Sequence, residues 1–243
     1  MIMEFESFSA KIKLAFEQNG LEDLIDDNKI RKLFDFSCLL IETNKQYNLT
    51  AITDEDGIIL KHLVDSASIC EFIPDNSSLI DVGCGAGFPS IPVAILREDI
   101  RIVSIDSTEK KIKFIDEVCK KLEICNIYPV TGRAEDFAKQ ARESFDIATS
   151  RAVARLNILD ELCLPFVKVG GTFISMKSSR GEEEFVEAQS GILKLGGKQI
   201  SKVCRELSFN GDTIKREIYI FSKVQTTPDR YPRNYSQIVK KPL

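Results

Sequence analysis

The chain has 243 residues, 43% hydrophobic and 29% charged, which is typical of a folded globular protein and longer than one average domain. The net charge of −4 argues against a general nucleic-acid binder, while one histidine and seven cysteines without a Cys-x-x-Cys pair argue against a metal site and a disulfide framework. The acidic start and the lack of a bilayer-length apolar run lead us to expect a cytoplasmic protein without membrane attachment.

Residues 1–73 are predicted to form a helical extension. Apolar residues recur at helical spacing over residues 30–41, and a second apolar face follows over residues 59–64. Thr53, with Asp56 three residues later, fits a capping box that would begin the second helix. A loop rich in turn-forming residues then closes the segment.

From residue 79 the pattern changes, because short apolar runs now alternate with amphipathic segments. This alternation predicts a parallel sheet with helices on both faces. Two later runs are joined by Asn210-Gly211, a pair typical of a hairpin turn. A parallel sheet that ends in an antiparallel hairpin is the Rossmann-like arrangement of class I methyltransferases, and we predict such an α/β core over residues 74–223. The expected strands lie near residues 79–83, 101–106, 126–130, 145–150 and 172–176, and the expected helices near 90–97, 108–122, 134–141, 155–167 and 182–195.

A glycine-rich loop follows the first expected strand, with the spacing Gly83-x-Gly85-x-Gly87. Phe88 stands where a dinucleotide-binding loop would need a glycine, which disfavours a pyrophosphate cofactor. The loop suits S-adenosylmethionine, which carries no phosphate and which bare glycine backbone can approach closely. Asp81 either orients the cationic methionine end of this cofactor or is a buried carboxylate bonded to nearby amides. Cys84 is expected to be a small loop residue rather than a nucleophile.

Acidic residues follow the next two expected strands. Asp106 lies after the glycine loop at about the spacing at which a carboxylate accepts both ribose hydroxyls, and its alternative role is to cap the helix near Thr108. After the third strand, Glu135 or Asp136 is a candidate acceptor for the adenine amine, with Ala134 offering its backbone N–H. Acidic residues are also common at helix starts, so this second assignment has a structural alternative.

Six sequence blocks together resemble one family, the bacterial small-subunit rRNA guanine-N7 methyltransferases (RsmG, or glucose-inhibited division protein B). The likeness extends from about residue 40 to the carboxyl terminus. It implies S-adenosylmethionine as methyl donor, with Gly83 and Phe88 in the loop, Ala134 and Glu135 at the adenine, and Arg151 where the fourth strand meets the reaction centre. The blocks, in order, are Asn48-Leu-Thr-Ala-Ile, His62-Leu-Val-Asp-Ser, Asp81-Val-Gly-Cys-Gly-Ala-Gly-Phe-Pro, Asp106-Ser, Gly132-Arg-Ala-Glu and Ser150-Arg-Ala-Val-Ala.

The implied reaction is methyl transfer to N7 of a guanine in 16S rRNA, either free or in a small-subunit ribonucleoprotein. Guanine N7 has a lone pair and no proton, so the transfer needs orientation rather than a general base, and we assign no catalytic residue. A carboxylate near the ring would stabilise the cationic product. His62 is expected to have a structural role, orienting either Asp65 or a loop.

The segment 224–243 is predicted to be a basic tail that meets RNA phosphates, unless it is only a solvated chain end. Two departures from the family pattern occur here and after the fifth strand: the tail lacks a Gly-Thr-Pro element, and Ser178-Ser179 stand where many relatives have glycine. The candidate RNA contacts are Lys177, Arg230, Arg233, Lys240 and Lys241.

Two rival functions share the glycine loop. One is a small-molecule methyltransferase whose helical extension forms a lid, and the other is an RNA-binding relative that has lost catalysis. The basic tail with its tyrosines favours RNA as the partner. The complete glycine loop followed by Asp106 disfavours the inactive relative.

Overall fold

A computed structural model of the chain describes residues 3–151, 154–178 and 181–243. These residues form a mixed sheet with helices on both faces, as predicted. The strands are β1 (Ser78–Val82), β2 (Arg101–Asp106), β3 (Ile127–Thr131), β4 (Phe145–Arg151), β5 (Val167–Lys177), β6 (Gly197–Phe209) and β7 (Asp212–Lys223). The helices are α1 (Phe5–Gln18), α2 (Asp27–Asn44), α3 (Glu55–Ile58), α4 (Asp65–Ala67), α5 (Ser90–Leu96), α6 (Glu109–Lys121), α7 (Ala134–Phe137), α8 (Leu156–Cys163), α9 (Gly181–Lys194) and α10 (Tyr235–Lys240).

The order of the strands across the sheet is β3-β2-β1-β4-β5-β7-β6. Strands β1 to β5 pair in parallel, and β7 runs antiparallel to both β5 and β6. The Asn210-Gly211 turn of the predicted hairpin is confirmed, with φ of +53° and +89° at its two residues. The chain reverses its direction of travel across the sheet between β1 and β4. In such sheets, ligands bind at this switch point, beyond the carboxyl ends of the strands.

Each face of the sheet is covered by its own apolar core. One core contains buried residues of α1, α2, α5 and α6 together with residues of the sheet. The other contains buried residues of α8 and α9, and it includes Tyr231 and Ile238 from the last part of the chain. The boundaries at 73/74 and 223/224 therefore mark changes of secondary structure within shared cores. No helix in the described ranges is both long and apolar enough to cross a membrane.

The helix that follows α2 is continuous from α3 to α4, with a π-helical segment, Ile59–Val64, between them. Its first residues are capped by Asp54, whose carboxylate accepts a hydrogen bond from Gly57 N at 2.7 Å. The prediction of a capping box at Thr53 is therefore wrong, because the neighbouring carboxylate satisfies this helix start. The wider turn of the π segment lies at the part of the helix that faces the carboxyl ends of the strands.

Two predicted helices are longer than the observed ones. The segment expected over 155–167 is α-helical only to Cys163, and a short 3-10 turn containing Pro165 follows before β5 begins. Proline lacks the N–H that an α-helix would need at that position. The segment expected over 134–141 has a single α-helical turn, α7.

The carboxyl-terminal segment is fastened to the body of the protein. Arg142 donates to the carbonyl oxygens of Thr227 and Tyr231, the latter at 2.6 Å. Lys223, the last residue of β7 before this segment, is fully buried and donates to two backbone carbonyls. The segment is therefore packed rather than a solvated end.

Candidate cofactor and substrate site

A cavity of about 850 Å³ opens at the carboxyl ends of β1, β2 and β4, at the switch point of the sheet. Its volume lies within the ~300–1,000 Å³ range of small-molecule sites. The glycine loop forms one wall, and the loop before α3 together with the π-helical segment forms another. Its lining includes Thr50, Lys61, His62, Asp65, Gly83, Gly85, Phe88, Asp106, Lys111, Arg151, Arg155, Lys177, Glu184 and Arg216.

The glycines of the loop are needed for two different reasons. Gly85 has φ of +58°, and a Cβ added there would meet nothing within 4 Å, so the backbone faces open space on the cavity side. Gly87 has φ of +90°, and an added Cβ would lie 2.4 Å from Ile91 Cδ1. Gly85 therefore keeps the backbone open to a ligand, whereas Gly87 allows the following helix to pack closely.

Asp106 lies at the end of β2, in the cavity wall. Its Oδ2 accepts from Gly85 N at 3.1 Å, and its Oδ1 accepts from Thr108 N at 2.8 Å. The carboxylate thus supports both the glycine loop and the turn that leads into α6, and each oxygen keeps a further lone pair. The capping alternative is wrong, because the N-cap residue of α6 is Thr108 and not Asp106, and ribose binding stays a prediction.

Asp81 and Cys84 lie beneath the loop and are buried. Asp81 Oδ2 accepts from Ser90 N at 3.3 Å, which is the contact with a nearby amide proposed as one alternative from the sequence. Burial raises the pKa of Asp81 to about 7. Burial also raises the pKa of the Cys84 thiol, as expected for a loop residue that is not a nucleophile.

Arg151, at the end of β4, is held by the helix across the cavity. Its guanidinium donates to Asp65 Oδ2 at 2.8 Å and to the carbonyl oxygen of Lys61 at 2.9 Å. Asp65 is fully buried and also accepts from Arg216 of β7, at 2.7 Å from Nε. One carboxylate therefore joins two arginines from distant strands in the cavity wall.

His62 stacks on Phe88 of the glycine loop, with ring centroids 4.2 Å apart. Its Nε2 lies 2.8 Å from Thr50 Oγ1, so the prediction that His62 orients a loop is confirmed. Burial and the positive charge of Arg151 lower the pKa of His62 to about 3, and the ring is neutral at pH 7. A ring with so low a pKa is a weak base, and both of its nitrogens are engaged, by Thr50 and Arg151.

Other predicted site residues lie outside the cavity lining. Ala134 and Glu135 begin α7, and Glu135 is buried with Oε1 accepting from Tyr235 N at 3.3 Å. Their role at the adenine stays a prediction. Ser179, together with Ala152-Val153 of the Ser-Arg-Ala block, lies outside the described residues.

The candidate RNA contacts fall into three groups. Lys177 lines the cavity, but its ammonium is engaged by the Ala154 carbonyl oxygen at 2.6 Å and Glu184 at 2.8 Å. Arg233 is bound by the buried carboxylate of Glu161, and its expected contact with RNA stays a prediction. The exposed tail cations, none of which lines the cavity, are Arg230, Lys240 and Lys241.

Several charged residues of the lining were not predicted from the sequence. Lys61 precedes His62 within a recognised block, so its place beside the cavity had a local signal. Arg216 had no such local signal in the sequence, because it lies in the hairpin and reaches Asp65 only through sheet pairing. The residues missed are Lys61, Lys111, Arg155, Glu184 and Arg216.

The donor set fits S-adenosylmethionine. The Gly85 backbone faces the cavity, and the Asp106 carboxylate beside it can accept from hydroxyl groups. No cluster of three or more potential metal ligands occurs in the part of the chain that the structure describes.

Known proteins resemble the chain in sequence and in fold. Ribosomal RNA small subunit methyltransferase G of Clostridium tetani is 41% identical over 222 residues, covering 90% of this chain and 92% of the relative. The protein of that name from Acetivibrio thermocellus is 45% identical over 222 residues, covering 90% of each chain. Among solved structures, M. jannaschii TYW2 in complex with AdoMet has a TM-score of 0.54 at 16% identity, covering 67% of this chain and 76% of that chain. A precorrin-6y C5,15-methyltransferase from Geobacter metallireducens has a TM-score of 0.52 at 15% identity, covering 73% and 91%.

Fold and site together define a Rossmann-like class I methyltransferase that uses S-adenosylmethionine. The family model described as rRNA small subunit methyltransferase G (GidB) matches residues 29–209. The chain belongs to this family, and the resemblance found in its sequence blocks is confirmed.

Proposed function

We propose that the protein transfers the methyl group of S-adenosylmethionine to N7 of a guanine in 16S rRNA, presented by a small-subunit ribonucleoprotein in the cytoplasm. The observation that carries this proposal is a single cavity that joins the glycine loop and Asp106 to the Asp65–Arg151–Arg216 cluster. The cofactor supplies an electrophilic methyl group, and the residues of this chain supply position.

The chemistry of the lining supports a transfer that needs no base. His62 is neutral and fully engaged between Arg151 and Thr50, so it has no proton-transfer role. Asp65 offsets part of the charge of two arginines, which lowers the electrostatic cost of forming a cationic base nearby. Orientation of two bound partners accounts for large rate gains without acid–base groups.

We assign RNA phosphate contact to the cations at the mouth of the cavity rather than to the tail. Lys61, Lys111 and Arg155 line the cavity, and their side chains are between 33% and 55% exposed. Phosphates flanking a base in the cavity would lie within reach of this rim. The net charge of −4 fits a protein that recognises a folded particle rather than any RNA.

The test is methyl transfer from labelled S-adenosylmethionine to small ribosomal subunits from a strain that lacks this gene. We expect one added methyl group, mapped by mass spectrometry to N7 of a single guanine. Transfer to another base or only to small molecules would contradict the proposal. Calorimetric titration with S-adenosylmethionine separates an inactive RNA-binding relative, for which we would expect no binding.

A further inference from the structure

The side chain of Asn44 binds the backbone of the loop between α2 and α3. Its Oδ1 accepts from the backbone nitrogens of Leu49 and Thr50, at 2.7 and 3.0 Å, and its Nδ2 donates to the Thr50 carbonyl oxygen at 3.0 Å. These three bonds fix both backbone polar groups of Thr50. The side chain of Thr50 is thereby placed in the cavity wall, next to His62.

A chain of hydrogen bonds determines which groups donate at this wall. Arg151 Nη2 lies 3.2 Å from His62 Nδ1, and a guanidinium can only donate. Nδ1 is therefore the acceptor, which assigns the proton of the neutral ring to Nε2. Nε2 in turn lies 2.8 Å from Thr50 Oγ1 and donates to it.

The Thr50 hydroxyl is left with one function. Its oxygen accepts from His62 Nε2 and also from Ile52 N, at 3.0 Å. Both lone pairs are then occupied, and only the hydroxyl proton is available. Within the described ranges no protein group accepts that proton, so the wall presents a hydrogen-bond donor to the cavity.

The edge of a guanine fits such a donor. Guanine presents two acceptors side by side, N7 and O6, whereas adenine presents N7 beside the N6 amino group, which is a donor. Resting on the proposed function, in which N7 receives the methyl group, we propose that Thr50 donates its hydroxyl proton to O6 of the target guanine. This contact positions N7 and rejects adenine, because two donors would otherwise face each other.

Arg151 and His62 contribute to this contact through Thr50. Arg151 sets the tautomer of His62, and His62 fills the lone pair that would let the hydroxyl accept. The specificity of the site thus depends on a side chain in the helical extension, while the cofactor loop belongs to the sheet.

The test is a cycle that combines a protein change with a change of base. Small subunits are reconstituted with guanine or with 2-aminopurine, which lacks O6, at the position that the wild-type protein methylates. Methyl transfer is measured with the wild type and with Thr50→Val, Thr50→Ser and Thr50→Ala. Thr53→Val is the matched control, because Thr53 is exposed on the same loop.

We expect Thr50→Val to lower kcat/KM on guanine by roughly tenfold to hundredfold, with S-adenosylmethionine affinity unchanged. Thr50→Ser should stay within about threefold of the wild type, since it keeps the hydroxyl. On 2-aminopurine, the wild type and Thr50→Val should be nearly equal, because the bond is already absent. Thr50→Ala gives the same comparison if the valine variant does not fold.

If Thr50→Val lowers kcat/KM by the same factor on 2-aminopurine as on guanine, the role of Thr50 at O6 is overturned. A fall in S-adenosylmethionine affinity would overturn it too, since the hydroxyl would then serve the cofactor. Failure of the wild type to methylate N7 on guanine subunits would instead refute the proposed function itself.

Discussion

Two fully buried carboxylates each hold arginine, and only one of them borders the cavity. Asp65 accepts from Arg151 and Arg216 in the cavity wall. Glu161, on α8, accepts from Arg233 Nε at 2.9 Å and from Nη2 at 2.6 Å, on the opposite face of the sheet. The same pairing therefore shapes a site in one region and fastens the end of the chain in the other.

The difference shows that the role of each arginine depends on the partner that it contacts. Arg151 shares Asp65 with a second arginine, so the cluster of two arginines and one carboxylate leaves net positive charge in the lining. Arg233 has Glu161 to itself, and a backbone N–H of the same residue also bonds Glu161 Oε1, at 2.8 Å. We therefore expect Arg151 to matter for activity and Arg233 for stability.

Arg233→Ala should have the largest effect on stability. The change leaves the Glu161 carboxylate buried without its charged partner, which typically costs about 3–5 kcal/mol. We expect a fall of this size in the free energy of unfolding, measured by urea denaturation, and unchanged activity per folded molecule at low temperature. Arg230→Ala, at an exposed neighbour, is the control. A stable variant with weakened RNA affinity would instead support the original assignment of Arg233 to RNA.

Arg151→Ala should have the opposite profile. Asp65 keeps Arg216 as a partner, so the loss of stability should be smaller than for Arg233→Ala. Turnover should fall roughly hundredfold or more, because orientation across the cavity is lost. The fall should be the same at low and high salt, since a buried pair is weakly screened. A turnover loss that disappears at low salt would place Arg151 on RNA phosphate instead.

Asp106→Ala tests the part of the cavity wall assigned to the cofactor. We expect it to affect both ligand binding and stability. Loss of a charged acceptor for ligand hydroxyls should weaken S-adenosylmethionine binding by about 1.5–3 kcal/mol, measured by calorimetry. Because Asp106 also accepts from Gly85 N and Thr108 N, we expect a decrease in stability of about 1 kcal/mol as well. Reduced stability with full cofactor affinity would show that Asp106 only supports the loop and the turn.

The region around Glu161 should also respond to pH. Burial and the neighbouring charge of Glu161 raise the pKa of Asp160 to about 8, and its Oδ2 has no partner in the described part of the chain. Between the unfolded pKa of about 3.9 and this value, the folded state binds more protons than the unfolded state. The contribution of Asp160 to the free energy of unfolding should therefore fall as pH rises through this range, by at most about 1.4 kcal/mol per pH unit.

Asp160→Asn mimics the protonated carboxyl and should flatten this dependence. We expect the variant to be more stable than the wild type at pH 8, with a difference that shrinks as the pH falls toward 4, measured by denaturation across this range. Asp136→Asn, at an exposed carboxylate, should leave the wild-type slope intact. Equal slopes for the wild type and Asp160→Asn would mean that Asp160 is ionised in the folded protein.

The features that could be predicted from the sequence are those that depend on residues close together along the chain. The sheet, the hairpin and the glycine loop were predictable, because hydrophobic periodicity and turn chemistry act over a few residues. The pairing of Asp65 with Arg216 was not, since the two are 151 positions apart and meet only through the fold. The same limit applies to Arg233, whose partner Glu161 lies 72 positions away. The Thr53 cap failed for a local reason, because adjacent residues competed for one helix start.

The smallest expected effect concerns the exposed cations, those beside the cavity and those of the carboxyl-terminal segment, and the salt dependence of binding to small subunits. Neutralising Lys61, Lys111 and Arg155 with glutamine should weaken binding to small subunits and reduce the slope of log affinity against log salt, because fewer counterions are released. Each lost phosphate contact should lower the slope by about 0.7–0.9. The matched triple variant of Arg230, Lys240 and Lys241 should keep the wild-type slope, since these residues lie away from the cavity.

The measurement is a salt series of binding titrations on both triple variants, with S-adenosylmethionine affinity determined in parallel. The cavity triple should also keep most of its turnover at saturating RNA, because rim charges raise local RNA concentration and do not orient the base. A reduced slope in the tail triple with a wild-type slope in the cavity triple would reverse the assignment. RNA would then approach from the face that carries Glu161, and the target base would have to reach the cavity around the edge of the sheet.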